Sequence, residues 1–132
     1  MNKRFPEWKK PKFDAEGKTK YGWKCFWSEH LVLGDQCDVG AYTLIQAKEG
    51  VEIGEEVEIG PFCYICSWSS IDNKKGKVII GKNAKIGAHS TIMPGVTIGK
   101  NTVIGAHSFV NKNIPANCIA YGVPVKIIQV NE

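Results

Sequence analysis

The sequence predicts an all-β solenoid of short parallel strands, and three observations carry that expectation. The pentapeptide IGAHS occurs at 86–90 and again at 104–108, the second copy starting 18 residues after the first. A branched aliphatic residue recurs on a six-residue beat: Leu33, Val39, Ile45, Ile53, Ile59, Ile65, Ile71, Ile80, Ile86, Ile92, Ile98, Ile104 and Val110. The fifth place of each hexapeptide holds a small or β-branched residue, as at Cys37, Thr43, Cys63, Ser69, Ala84, Ser90, Thr102 and Ser108. An α-helix would return apolar residues every three or four positions and a lone strand every second one, so neither explains a beat of six.

Each hexapeptide supplies one short rung with one inward aliphatic side chain. No single rung buries its apolar face, so stacking of successive rungs has to supply the core. Glycine at the second place is read as permitting the tight turn at each corner. Cys37 and Cys63 fall at the fifth place, where free cysteine packs as a small hydrophobe, which accounts for most of the C-x-x-C at 63–66. Two insertions interrupt the beat, AKEGVE at 47–52 and DNKKGK at 72–77. A rung lengthens only by extruding a loop from a corner, and loops on a rigid scaffold are where binding groups sit.

At 132 residues the chain is long enough for one domain. It contains no run of about 18 apolar residues, so no membrane span is expected. The start of the chain has no apolar segment after its basic residues and does not read as a signal peptide; a cytoplasmic location is expected. Five cysteines without framework spacing fit a reducing compartment, and neither a metal nor a redox site is expected from them. Residues 1–24 hold eight Lys or Arg against three acids. That arm is read as a solvated tail or as packing on a neighbouring subunit; with no binding motif beside it, nucleic acid is not an expected partner.

The stretch KVIIGKNAKIGAHSTIMPGVTIGKNTVIGAHSFVNKNIPANCIAYGVPVKII, with its IMPGVTIG turn and closing GVPVKII, resembles the C-terminal half of the hexapeptide-repeat acyltransferases. The likeness extends over residues 25 to about 128. It implies a left-handed parallel β-helix of four to five coils, three hexapeptides to a triangular coil, assembled as a homotrimer. The chain then divides into a basic arm (1–24), the β-helix (25–118) and a short cap (119–132). Eighteen residues make one coil, so the two IGAHS copies should stack about 4.8 Å apart. Extending the register backward puts Trp27 at the first place and His30 at the fourth, and the fourth-place file of one face reads His30, Lys48, Trp68, His89 and His107.

The resemblance also implies acetyl-coenzyme A as acyl donor and a sugar or nucleotide sugar as acceptor, bound in a groove between two subunits and serving surface glycan assembly. CDVGAYTLIQA is similar to the sugar-site stretch of the galactoside and maltose branch, with Asp38 as its acid and Gln46 in place of its Asn. Trp68 and Asn73 join them as acceptor contacts, and Lys74 and Lys75 could meet an anionic acceptor. The general base of that branch follows a segment equivalent to YICSWSS, which here carries no histidine. Transfer to a hydroxyl needs a base. His89 is the first candidate and Asp72 the second, while an acyl-cysteine at Cys66 has no histidine beside it. Ala88, Ala106, Asn111 and Lys112 match the coenzyme path, Lys126 the position near its phosphates, and His107 replaces the Gly of the common GAGS. Two other classes share such a scaffold: a non-catalytic trimer, and γ-type carbonic anhydrases, whose histidine spacing differs from 89 and 107.

Overall fold

The computed structural model describes residues 5–131; residues 1–4 of the arm and Glu132 of the cap lie outside the described residues. The first coil is β1 (Lys24–Phe26), β2 (Leu31–Leu33) and β3 (Asp38–Val39); the second is β4 (Leu44–Gln46), β5 (Val51–Ile53) and β6 (Glu58–Ile59). The third begins with β7 (Tyr64–Cys66), throws out a hairpin of β8 (Trp68–Ser69) and β9 (Lys74–Lys75), and resumes with β10 (Val78–Ile80) and β11 (Lys85–Ile86). The fourth is β12 (Thr91–Ile92), β13 (Thr97–Ile98) and β14 (Val103–Ile104). The last holds β15 (Phe109–Val110) and β16 (Cys118–Tyr121), against which β17 (Lys126–Val130) turns back antiparallel.

These rungs stack into three parallel faces, β1-β4-β7-β12-β15, then β2-β5-β10-β13, then β3-β6-β11-β14-β16. Each face files its aliphatics inward: Ile45, Ile65, Ile92 and Val110 on the first, Ile53, Ile80 and Ile98 on the second, Ile59, Ile86 and Ile104 on the third. All are buried. Each contributes about 1.5–3 kcal/mol of burial that its own rung could not secure alone. The predicted all-β parallel solenoid is therefore the observed architecture.

The fifth-place residues tie coil to coil. Thr43 Oγ1 donates to the Gly60 carbonyl at 2.8 Å, Ser90 Oγ to Gly105 O at 3.2 Å and Cys63 Sγ to Gly87 O at 3.3 Å. The second-place glycine works differently from the expectation. Positive φ falls at the fourth place, on Tyr42, Phe62, His89 and His107 among others. Gly87 is required because a Cβ there would stand 2.5 Å from the backbone N of Ala106 in the next coil.

Two first-place assignments are corrected. Ile71 is 97% exposed in the hairpin between β8 and β9 and belongs to no rung. Trp27 sits at a corner with φ 58, and the residue paired with Ile45 in the first coil is Cys25. Ser69, read as a fifth-place core residue, lies half-buried in β8 for the same reason.

The arm is neither a free tail nor turned away from its own coil. Gln36 holds Phe5 from both sides, accepting from its N–H at 2.6 Å and donating to its carbonyl at 3.0 Å, and the Trp8 indole N–H donates to Cys37 O at 2.8 Å. Phe13 packs edge-on against Trp23 at 5.5 Å, and Lys18 bridges Lys24 in antiparallel fashion. No helix among the described residues is long and apolar enough to cross a membrane.

All five cysteines are free and buried. Removal from water pushes the Cys25 thiol up to about 12, with Glu29 adding to the shift, so the reactive thiolate is absent at any physiological pH. A colorimetric thiol titration of the native protein is expected to find none of the five reactive within minutes, and all five once denatured. Rapid modification of the folded protein would contradict this packing.

Candidate active site

The corner joining the third face to the first carries a continuous file of rings. Tyr42 stacks on Phe62 at 5.1 Å, Phe62 on His89 at 4.9 Å and His89 on His107 at 4.8 Å, with interplanar angles of 17°, 6° and 2°. The repeated IGAHS thus stacks as its 18-residue spacing predicts. All four rings are solvent-exposed, and all four sit in left-handed backbone, φ 60–66°. The corner between the second and third faces has the same backbone at Gln36, Glu56, Asn83, Asn101 and Asn117. There the asparagines, which tolerate this conformation cheaply, form a ladder of 2.9 and 3.1 Å amide hydrogen bonds. Bulky rings in that conformation cost more, and costly backbone is retained where a site needs it.

Stacking covers both faces of His89 and leaves its edges to solvent. Neither of its ring nitrogens has a hydrogen-bond partner among the described residues. Beside this file, along the third face, runs a groove of about 440 Å³ lined by Asp38, Glu58, Gly60, Lys85, Gly87 and Ala106. Lys85 holds Glu58 at 3.3 Å, whereas the Asp38 carboxylate is unpartnered among the described residues. The backbone N–H groups of Ala88 and Ala106 are likewise unpaired among the described residues. Among those residues no three His, Cys, Asp or Glu side chains converge as a metal site would require.

The rest of the expected site lies elsewhere. The fourth-place file His30, Lys48, Trp68, His89, His107 does not form, because counting Ile71 as a rung advanced the register by one hexapeptide. Lys48 and Trp68 stand at the corner between the first and second faces, where the Lys48 ammonium lies 3.9 Å from the Trp68 ring and 5.8 Å from Trp27. His30 is tied there through Nδ1 to the Lys48 carbonyl at 3.0 Å. Gln46 is buried, its amide donating to Trp68 O at 3.2 Å and accepting from Ser67 Oγ and Lys48 N, which commits it to holding the corner. Cys66 is buried and donates to Trp68 O at 3.0 Å. Asp72 and Asn73 lie in the hairpin at this corner; a hydrogen bond from the Ser69 side chain is the main cause holding the Asp72 carboxyl below the usual carboxylate range, which weakens it as a proton acceptor. Asn111 and Lys112 follow β15, and Lys126 opens β17; all three are exposed.

Tyr42 and Phe62 were missed as members of the imidazole file. Their signal was present: VGAYTL and IGPFCY carry an aromatic at the place where IGAHST carries its histidine.

The model described as bacterial transferase hexapeptide (six repeats) matches residues 77–112, which contain both histidines of the file. Galactoside O-acetyltransferase of Escherichia coli (strain K12) is 56% identical over 52 residues, covering 39% of this chain and 26% of that enzyme. A galactoside acetyltransferase solved in complex with coenzyme A superposes with a TM-score of 0.73 at 31% identity, over 82% of this chain and 58% of that one. An N-acyltransferase from Bacillus cereus, in complex with dTDP and 3-hydroxybutyryl-CoA, gives 0.70 at 25% identity, over 86% and 79%. The chain therefore spans about a quarter of the curated E. coli relative it matches. The chain is a left-handed parallel β-helix that carries a match to the hexapeptide-repeat model over residues 77–112 and is similar in sequence and in fold to acetyltransferases of that repeat class.

Proposed function

We propose that the protein moves an acetyl group from acetyl-coenzyme A to an amino or hydroxyl group of a sugar or nucleotide sugar, in glycan assembly, and that it works as a homotrimer. The observation that carries the reading is the edge-exposed, unpartnered imidazole of His89 beside the glycine-floored groove of the third face. The unpaired N–H groups of Ala88 and Ala106 suit the amides of a pantetheine arm, and Lys126 and Lys112 suit its phosphates.

In the reaction the acceptor oxygen or nitrogen attacks the thioester carbonyl carbon. A new C–O or C–N bond forms, the C–S bond breaks, and the coenzyme leaves as a thiolate that takes up a proton. His89 receives the proton the acceptor loses. Asp38, without a cation of its own, binds acceptor hydroxyl or ammonium groups.

Trp68, Asp72 and Asn73 stand at a different corner of the triangle from His89, so one copy does not assemble them into one site. Setting the hairpin corner of one copy against the ring-file corner of the next does, and a contact of two unlike surfaces closes as a ring. Light scattering is expected to give a three-chain mass. A monomer that retains full turnover would overturn the shared site. Thiol release from acetyl-coenzyme A across amino sugars, sugars and nucleotide sugars tests the activity; no release and no coenzyme binding would assign the chain a non-catalytic role.

A further inference from the structure

The strap made by residues 5–11 forms a second, half-open cavity of about 440 Å³ between itself and β2–β3. Four aromatic residues line it, Phe5, Trp8, Tyr21 and Trp23, with Leu33 on the coil side and Asp38 among the lining residues. The volume suits one small organic molecule. Among the described lining residues the two further charges, Glu7 and Lys9, are of opposite sign and Asp38 remains.

Asp38 has a further reason to attract a cation. It pairs in register with Glu58 of the next coil, a like charge one strand spacing away. Lys85 answers Glu58 at 3.3 Å, and no cation among the described residues answers Asp38. Aromatic residues in the lining add to the preference, because ring faces attract organic cations.

From this we infer that the cavity is a binding site for a small organic ammonium ion with an apolar or aromatic body, the ammonium on Asp38 and the body among Trp8, Tyr21 and Trp23. Asp38 also lines the lower end of the third-face groove, so the occupant lies in line with it. Binding here stands whether or not acyl transfer does.

The test uses the full chain with no acyl donor present, following the indole N–H signals by NMR. The probes are 2-phenylethylammonium, 2-phenylethanol and phenylacetate, matched in shape and differing in charge. The ammonium is expected to shift the Trp8 signal saturably and to bind about tenfold tighter than the alcohol, with the acid weakest. Asp38→Asn, at an exposed position, should erase the difference, and Glu58→Gln, which keeps Asp38 but removes its like-charged neighbour, should narrow it without removing it. Equal binding of the three probes, a preference that survives in Asp38→Asn, equal losses in both variants, or no shift at Trp8 would each overturn the assignment.

Discussion

Replacing His89 by asparagine is expected to lower acetyl transfer by about a hundredfold or more while the protein keeps its fold and its affinity for the coenzyme. Asparagine is the informative substitution because His89 lies at φ 61, a conformation Asn adopts readily, as Asn83, Asn101 and Asn117 do at the neighbouring corner. Alanine would confound loss of the base with backbone cost. An amide at this place cannot accept the proton, so the expected signature is a fall in kcat with little change in coenzyme Kd. His107 stacks on His89 at 4.8 Å but neighbours it along the file, so His107→Asn should cost far less. Unchanged turnover in His89→Asn, with loss in Asp72→Asn, would move the proton acceptor to the hairpin.

A large loss of stability is expected from Gly87→Ala. Its new Cβ would meet Ala106 N at 2.5 Å, Ala106 Cα at 2.7 Å and the Gly105 carbonyl carbon at 2.9 Å, all of them backbone. No rotamer relieves such a contact, so the third and fourth coils have to part, weakening the Gly87 N–H to Ile104 O bond of 2.8 Å. A cost of about 3 kcal/mol, and a melting temperature lower by roughly 10 °C, follow for a chain of this size. Gly95 is the control: its φ is +81 and nothing lies within 4 Å of an added Cβ. Gly95→Ala should cost only about 1–2 kcal/mol, the backbone term alone. Equal melting temperatures for the two variants would show that coil spacing does not limit the glycine position.

Much of the fold was legible because stacking imposes one rule on every rung. An inward aliphatic and a small fifth-place residue are demanded whatever the function, so Ile45, Ile65, Ile92 and their files could be read directly. The site was less legible because it depends on which corner a residue occupies, and corners are set by the coil count. Paired residues are 20 apart at Ile45 and Ile65, 27 at Ile65 and Ile92, 18 at Ile86 and Ile104, and 16 at Ile104 and Ala120. Where the spacing was a clean 18, His89 and His107 were placed one above the other correctly. Across the hairpin, Ile71 mimicked a rung and carried His89 and His107 into the file of His30, Lys48 and Trp68, which do share one corner. Gln46 looked like a free amide because sequence does not show that Ser67 and Lys48 use it.

Both ends of the stack change strand direction, at the Lys18–Lys24 bridge below and at β17 above. A parallel coil with bare rungs at top and bottom would accept another molecule head to tail, and then another, as amyloid-like growth does. Reversed edges offer no matching partner for that addition, so the particle is finite. Deleting residues 5–23 would expose a bare first rung, and filament formation would be its characteristic failure.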